Sequence, residues 1–207
     1  MSGNDRLFAA ATASDEVKPV VSDPKRLIIA CDGTWDDSDR GYGHDKGLPW
    51  TKLITTPPSN IARICRAIKP QDDQLKCQQI VYYQAGVGSE NNLVDNIWGG
   101  LTGFGISEHV RECYSFICHN WREGDEIILF GFSRGAYTAR TVASMISDIG
   151  LLSMRGMTYF YPIFKDWENK IKKGYVSPFQ EPFPPGVKKP SFGDPNEPYQ
   201  QFLEKVV

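Results

Sequence analysis

The chain has 207 residues, 41% hydrophobic and 23% charged, with a formal net charge of −2. That length supports one substantial core or a large part of one, and the balanced charge gives no electrostatic case for nucleic acid or an anionic membrane as the main partner. No apolar run reaches the roughly 18 residues of a membrane-spanning helix.

Residues 1–24 are rich in Ser, Asp, Pro and Ala and lack the apolar core of a signal peptide, so they read as a flexible leader. A short amphipathic targeting segment is the alternative. With no secretion signal in view, the expected location is intracellular, in the cytoplasm. "RLIIAC" (26–31) is a short continuous apolar run ending in Asp-Gly, the signature of a buried strand. A polar loop follows. "SNIARICRAIKP" then opens with Ser59 as N-cap, carries Ile61, Ile64, Cys65 and Ile68 on one helical face, and stops at Pro70. "QQIVYYQ" (78–84) is β-branched and aromatic, hence a strand.

The glycine-rich stretch "AGVGSENNLVDNIWGGLTGFG" reads as a loop. From Ile106, the spacing Ile106, Val110, Cys113, Ile117, Trp121 predicts a helix with Gly124 as its stop. "DEIILFGF" (125–132) is the third strand. "RGAYTARTVASMISDIG" predicts a helix with Ala136, Ala139, Val142, Ala143 and Ile146 as its apolar face and Gly150 as its end. Beyond it, "MTYFYPIFKDWENKIKK" reads as helical after Pro162, and about 177–198 as a Pro-rich surface excursion, a candidate lid. "YQQFLEKVV" reads as the start of another element. Strand–helix alternation of this kind predicts an α/β fold, a doubly wound and mainly parallel sheet with helices on both faces. The five cysteines include no CxxC pair, and Cys31, Cys65 and Cys113 fall on apolar faces, so reduced packed thiols are expected rather than disulfides or a metal site. No cofactor is expected.

"GFSRG" (131–135) places Ser133 between two glycines. The bare G-x-S-x-G pattern is weak, but here a buried strand precedes it and a helix follows. That is the context of a nucleophile elbow, in which Gly131 and Gly135 permit the sharp turn and the helix N-terminus favours developing negative charge. An ordinary structural turn is the competing reading. "CDGTW" (31–35) resembles the D-x-D-G-T of aspartate phosphotransferases, but Ala30 stands where their nucleophile is needed, which leaves a phosphohydrolase using Asp32 as a weak rival. In α/β-hydrolase order the oxyanion loop follows the first of these strands, so backbone amides of Gly33 and Thr34, with that of Arg134, are the expected oxyanion donors, and Asp32 supports the motif.

"LIIACDGTW", "YYQAGVGS" and "ILFGFSRGAYTAR", in that order over about 25–160, resemble the motif set of the family named after the catalytic domain of type VI secretion phospholipase effectors, which is also common in fungi. The resemblance implies an α/β-hydrolase fold over 25–207, a serine esterase or phospholipase-like activity on acyl esters or phospholipids, and Ser133 as nucleophile. Gly86 and Gly88 of the shared "AGVGSE" would shape the loop at the mouth of the site.

The triad order of this fold is Ser, then acid, then His. His44, His109 and His119 all precede Ser133, and none of Asp148, Asp166 and Asp194 follows an apolar strand. The family supplies its acid from a later strand ending in a W-D-T-type motif and its histidine later still. The expectation is therefore a catalytic domain incomplete at its C-terminus, inactive by itself for want of triad Asp and His. A catalytically dead hydrolase-fold binding module is the competing class. Oligomeric state is open at this level.

Overall fold

The computed structural model describes residues 23–33, 42–44, 53–55, 58–86, 104–178, 192, 199 and 201. In chain order they form strands β1 (Lys25–Cys31), β2 (Tyr42–His44) and β3 (Leu53–Thr55), helix α1 (Asn60–Ala67), strand β4 (Gln78–Gln84), helix α2 (Phe104–Asn120), strand β5 (Glu126–Gly131), helix α3 (Arg134–Ile149), a 3₁₀ turn (Gly156–Tyr159) and helix α4 (Phe160–Glu168). The fold is α/β. β4, β1 and β5 lie side by side in that order, with both pairings parallel, so that Ile29 aligns with Tyr82 and Leu129, and Cys31 with Gln84 and Gly131.

β1 is central, and its run Leu27 to Cys31 is buried throughout, which is why it is apolar without alternation. Successive strand residues point to opposite faces. Leu27, Ile29 and Cys31 join the main core with Val110, Cys113, Tyr114 and Ile117 of α2, Val142, Met145 and Ile149 of α3, and Ile163, Phe164 and Trp167 of α4. Ile28 and Ala30 point the other way, and α1, which buries Ile61 and Ala62, packs against β1 and β4. At the opposite end of the sheet the strand starts are tied by charge. Lys25 pairs with Asp125, and Arg26 with Asp72 at 2.8 Å and Glu126 at 2.5 Å.

Several local expectations change. The polar loop after β1 contains the short antiparallel pair β2–β3, with His44 opposite Leu53; three-residue strands carry too little periodicity to be read. α1 does begin at Ser59, whose Oγ accepts the Ala62 N–H at 3.0 Å, but it ends at Ala67 and leaves Ile64 47% exposed. The buried face of α3 is Gly135, Thr138, Ala139, Val142, Met145 and Ile149, and Ala143 is exposed. α4 starts at Phe160 rather than after Pro162, because a proline is tolerated in a first turn whose N–H groups have no intrahelical acceptor. Most of the Pro-rich stretch lies outside the described residues, as does the leader apart from Asp23 and Pro24. Tyr199, however, is 2% exposed, stacks on Phe192 at 4.8 Å between ring centroids and belongs to the core.

Candidate active site

β5 ends at Gly131 and α3 begins at Arg134, so the chain reverses from strand to helix within Phe132 and Ser133. The Phe132 N–H donates to the Cys31 carbonyl at 3.1 Å, extending the parallel ladder one step past the strand. Ser133 then takes φ 53° and ψ −123°. That is positive φ for a residue with a side chain, outside even the left-handed helical region, and such conformations cost about 1–3 kcal/mol.

Close packing holds the serine there. A Cβ on Gly131 would lie 2.5 Å from the Gly135 carbonyl carbon and oxygen, and a Cβ on Gly135 would lie 2.1 Å from the Cys31 carbonyl oxygen. Both glycines therefore let α3 seat its first turn directly on the ends of β5 and β1. The Ser133 carbonyl accepts the N–H groups of Ala136 and Tyr137 at 3.1 and 3.3 Å, but its hydroxyl makes no capping bond and the residue is exposed. Ser59 is the contrast: it also stands at a helix N-cap and uses its hydroxyl there. Ser133 gives its helix the backbone and keeps its side chain out of the capping bond.

The exit of β1 reaches the serine. A Cβ on Gly33 would lie 3.1 Å from Ser133 Cβ and 3.2 Å from the Phe132 carbonyl oxygen, so only a glycine fits between these two turns without displacement. Beside it, Asp32 is 6% exposed and fully engaged. Its Oδ1 accepts the Gly33 N–H at 2.8 Å, and its Oδ2 accepts the Tyr83 hydroxyl at 2.7 Å and the Ser59 hydroxyl. Its own N–H donates to the Gln84 carbonyl at 2.9 Å. The Gly33 amide is spent on Asp32 rather than directed at Ser133, and the Asp32 carboxylate is buried under donors rather than open as a nucleophile would be.

Arg134 is half-buried, its guanidinium pKa is lowered by burial, and its amide sits in the first turn of α3 at the positive end of the helix dipole. Gly86 follows β4 and is half-buried, whereas Thr34, Gly88 and Asp194 lie outside the described residues. His109, on α2, is half-buried. Burial is the main cause that lowers its pKa, Glu112 and Glu108 oppose it, and the Arg134 charge adds to it. His119 is exposed, with Nδ1 2.6 Å from the Ser115 carbonyl on its own helix.

Neither of the downstream aspartates described, Asp148 and Asp166, is near the elbow along the chain. Asp148 lies fifteen residues further on the same helix, roughly 22 Å at 1.5 Å per residue. It accepts from Trp167 Nε1 at 2.7 Å and from Lys170. Asp166 is buried, accepts the Tyr175 hydroxyl at 2.9 Å, and lines a cleft with Lys170, Tyr175, Ser177 and Phe192. Among the described residues no His, Cys, Asp and Glu group suits a metal ion, and no helix is long and apolar enough to cross a membrane. Sequence reasoning read Ser59 only as a cap and Tyr83 only as a strand residue. Their convergence on Asp32 has no sequence signal, because 27 and 51 residues separate the partners.

A family model described as "T6SS, Phospholipase effector Tle1-like, catalytic domain" matches residues 25–190. The uncharacterized protein YEL023C of Saccharomyces cerevisiae is 33% identical over 184 residues, covering 81% of this chain and 23% of its own length. The chain thus spans about a quarter of that relative. No solved structure matches.

Proposed function

The chain belongs to the family of Tle1-like phospholipase effector catalytic domains, and on that footing we propose that it carries the nucleophile of a serine ester hydrolase of α/β-hydrolase type, acting on acyl esters of the phospholipid class. The observation that carries this reading is Ser133 itself: an exposed serine at φ 53° between a parallel strand and a helix, with no capping bond from its hydroxyl and its Cβ against the β1 exit.

In the proposed reaction Ser133 Oγ bonds to the ester carbonyl carbon as its proton passes to a base. The carbonyl oxygen takes the negative charge, and the amides of Arg134 and Thr34 donate to it, assisted by the positive end of α3. Gly33 contributes by lacking a side chain, since its own N–H is held by Asp32. Collapse of the adduct breaks the bond to the alcohol oxygen, which leaves with the proton the base had taken; water then gives a proton to the base, attacks the acyl-serine carbonyl and releases the acid, and the base returns the proton to Ser133 Oγ. The histidine base and its orienting acid are not assigned to residues of this chain, since neither Asp148 nor Asp166 is near the elbow along the chain. Where no base stands beside Ser133, turnover is expected to be slow, because losing the base typically removes roughly three or more orders of magnitude in rate.

The test is labelling of the purified chain with a fluorophosphonate probe, alongside hydrolysis of a soluble short-chain acyl ester. Slow labelling that maps to Ser133 and vanishes in Ser133→Ala is expected. Labelling indifferent to that substitution would remove the nucleophile. Fast ester turnover that Ser133→Ala abolishes would show that the base is within this chain after all.

A further inference from the structure

We infer that Asp32 is a positioning residue for the elbow, holding Gly33 against Ser133 by gathering three separate elements onto one buried carboxylate. The inference rests on the nucleophile reading of Ser133 for its catalytic meaning, but not for its geometry.

The three donors come from different parts of the fold: the Gly33 N–H from the β1 exit at 2.8 Å, the Tyr83 hydroxyl from β4 at 2.7 Å, and the Ser59 hydroxyl from the cap of α1. Because Ser59 Oγ also accepts the Ala62 N–H at 3.0 Å, the first turn of α1 is coupled to the same carboxylate. Charge-assisted bonds of this kind are shorter and stronger than neutral ones, and they gain from exclusion of water. Asp32 is 6% exposed. Its main chain is equally committed: the N–H bonds to Gln84, and its carbonyl oxygen would lie 2.5 Å from a Cβ on Gly135.

The path from carboxylate to hydroxyl is therefore short. Asp32 fixes the Gly33 peptide, and Gly33 abuts the Ser133 Cβ, where 3.1 Å would separate an added methyl from the serine. A shift of the β1 exit changes the space in which an oxyanion would form between Gly33 and the first turn of α3. The same bond orients the Gly33 N–H toward Asp32, so the amides available to an oxyanion are set by this residue as well.

Tyr83→Phe removes one donor and leaves the carboxylate in place; Asp32→Asn replaces an acceptor oxygen by an NH₂ group that cannot accept. In the purified chain we expect both variants to melt cooperatively, to move the backbone amide resonances of Ser133 and Arg134, and to slow fluorophosphonate labelling of Ser133 by about tenfold. Ser59→Ala serves as the second variant if Asp32→Asn fails to fold. Resonance changes confined to residues 32, 33, 59 and 83, with those of 133 and 134 unmoved, would overturn the inference whatever the labelling rate. If the unaltered chain never labels at Ser133, the nucleophile reading fails, and the 133–134 resonances still decide whether Asp32 positions the turn.

Discussion

At Ser133 the side chain and the backbone have opposing requirements. A serine at φ 53° is strained, and a glycine there would relieve strain worth about 1–3 kcal/mol while costing about 0.5–1 kcal/mol in chain entropy. Ser133→Gly is therefore expected to be more stable than Ser133→Ala by roughly 1 kcal/mol, read as the difference in urea midpoints. Equal midpoints would mean that the turn relaxes without its side chain. Both variants should lose probe labelling, which separates the hydroxyl's chemistry from its conformational cost. The pattern G-x-S-x-G was visible in the sequence; the strain was not, because the same five letters fit a relaxed turn.

Among the elements, the seating of α3 on the sheet is the tightest contact at the site. Gly135→Ala would push a methyl to 2.1 Å from the Cys31 carbonyl oxygen, which is backbone and cannot swing aside. The expected loss is about 3 kcal/mol, the upper part of the range for overpacking, measured by denaturant unfolding. A change under about 1 kcal/mol would mean that the helix slides. Further along, Tyr114 on α2 donates its hydroxyl to the Gly150 carbonyl at 2.7 Å and accepts the Leu152 N–H at 3.2 Å. It thereby joins α2 to the end of α3, and it stacks on Phe160 of α4 at 5.1 Å. Tyr114→Phe keeps the ring and orphans two backbone groups, so it is expected to cost about 1–3 kcal/mol by the same measurement. β1, β4, β5 and α3 were legible from local pattern because buried strands and capped helices carry it in a few residues. The faces of α1 and α3 were less so. Ile64 and Ala143 look apolar in sequence but point away from the sheet, and only the sheet decides which side of a helix is covered.

For the molecule as a whole, acid should weaken the end of the sheet opposite the elbow. Burial alone would raise the Asp125 carboxyl, but the Lys25 side chain and N–H and the Arg122 N–H outweigh it, and its pKa is lowered. A lowered folded-state pKa supplies stability that is present above the ordinary carboxylate range and lost as pH falls through the folded value. Asp125→Asn is expected to flatten the acid limb of the stability curve and leave a smaller pH dependence in urea midpoints. An unchanged limb would place the acid sensitivity elsewhere. The fold also closes over a greater span of chain than local pattern suggests, for Tyr199 returns to the core beyond the Pro-rich stretch.

The sequence by itself determined the alternation of strands and helices, the strand–serine–helix order and the family, because each depends on residues that are neighbours along the chain. Tertiary structure alone decided that Gly33 meets Ser133, that Asp32 collects Gly33, Ser59 and Tyr83, and that the Gly33 amide is thereby committed. Those contacts arise from placing β1 between β4 and β5, and a parallel register brings together carboxyl ends of strands that lie tens of residues apart.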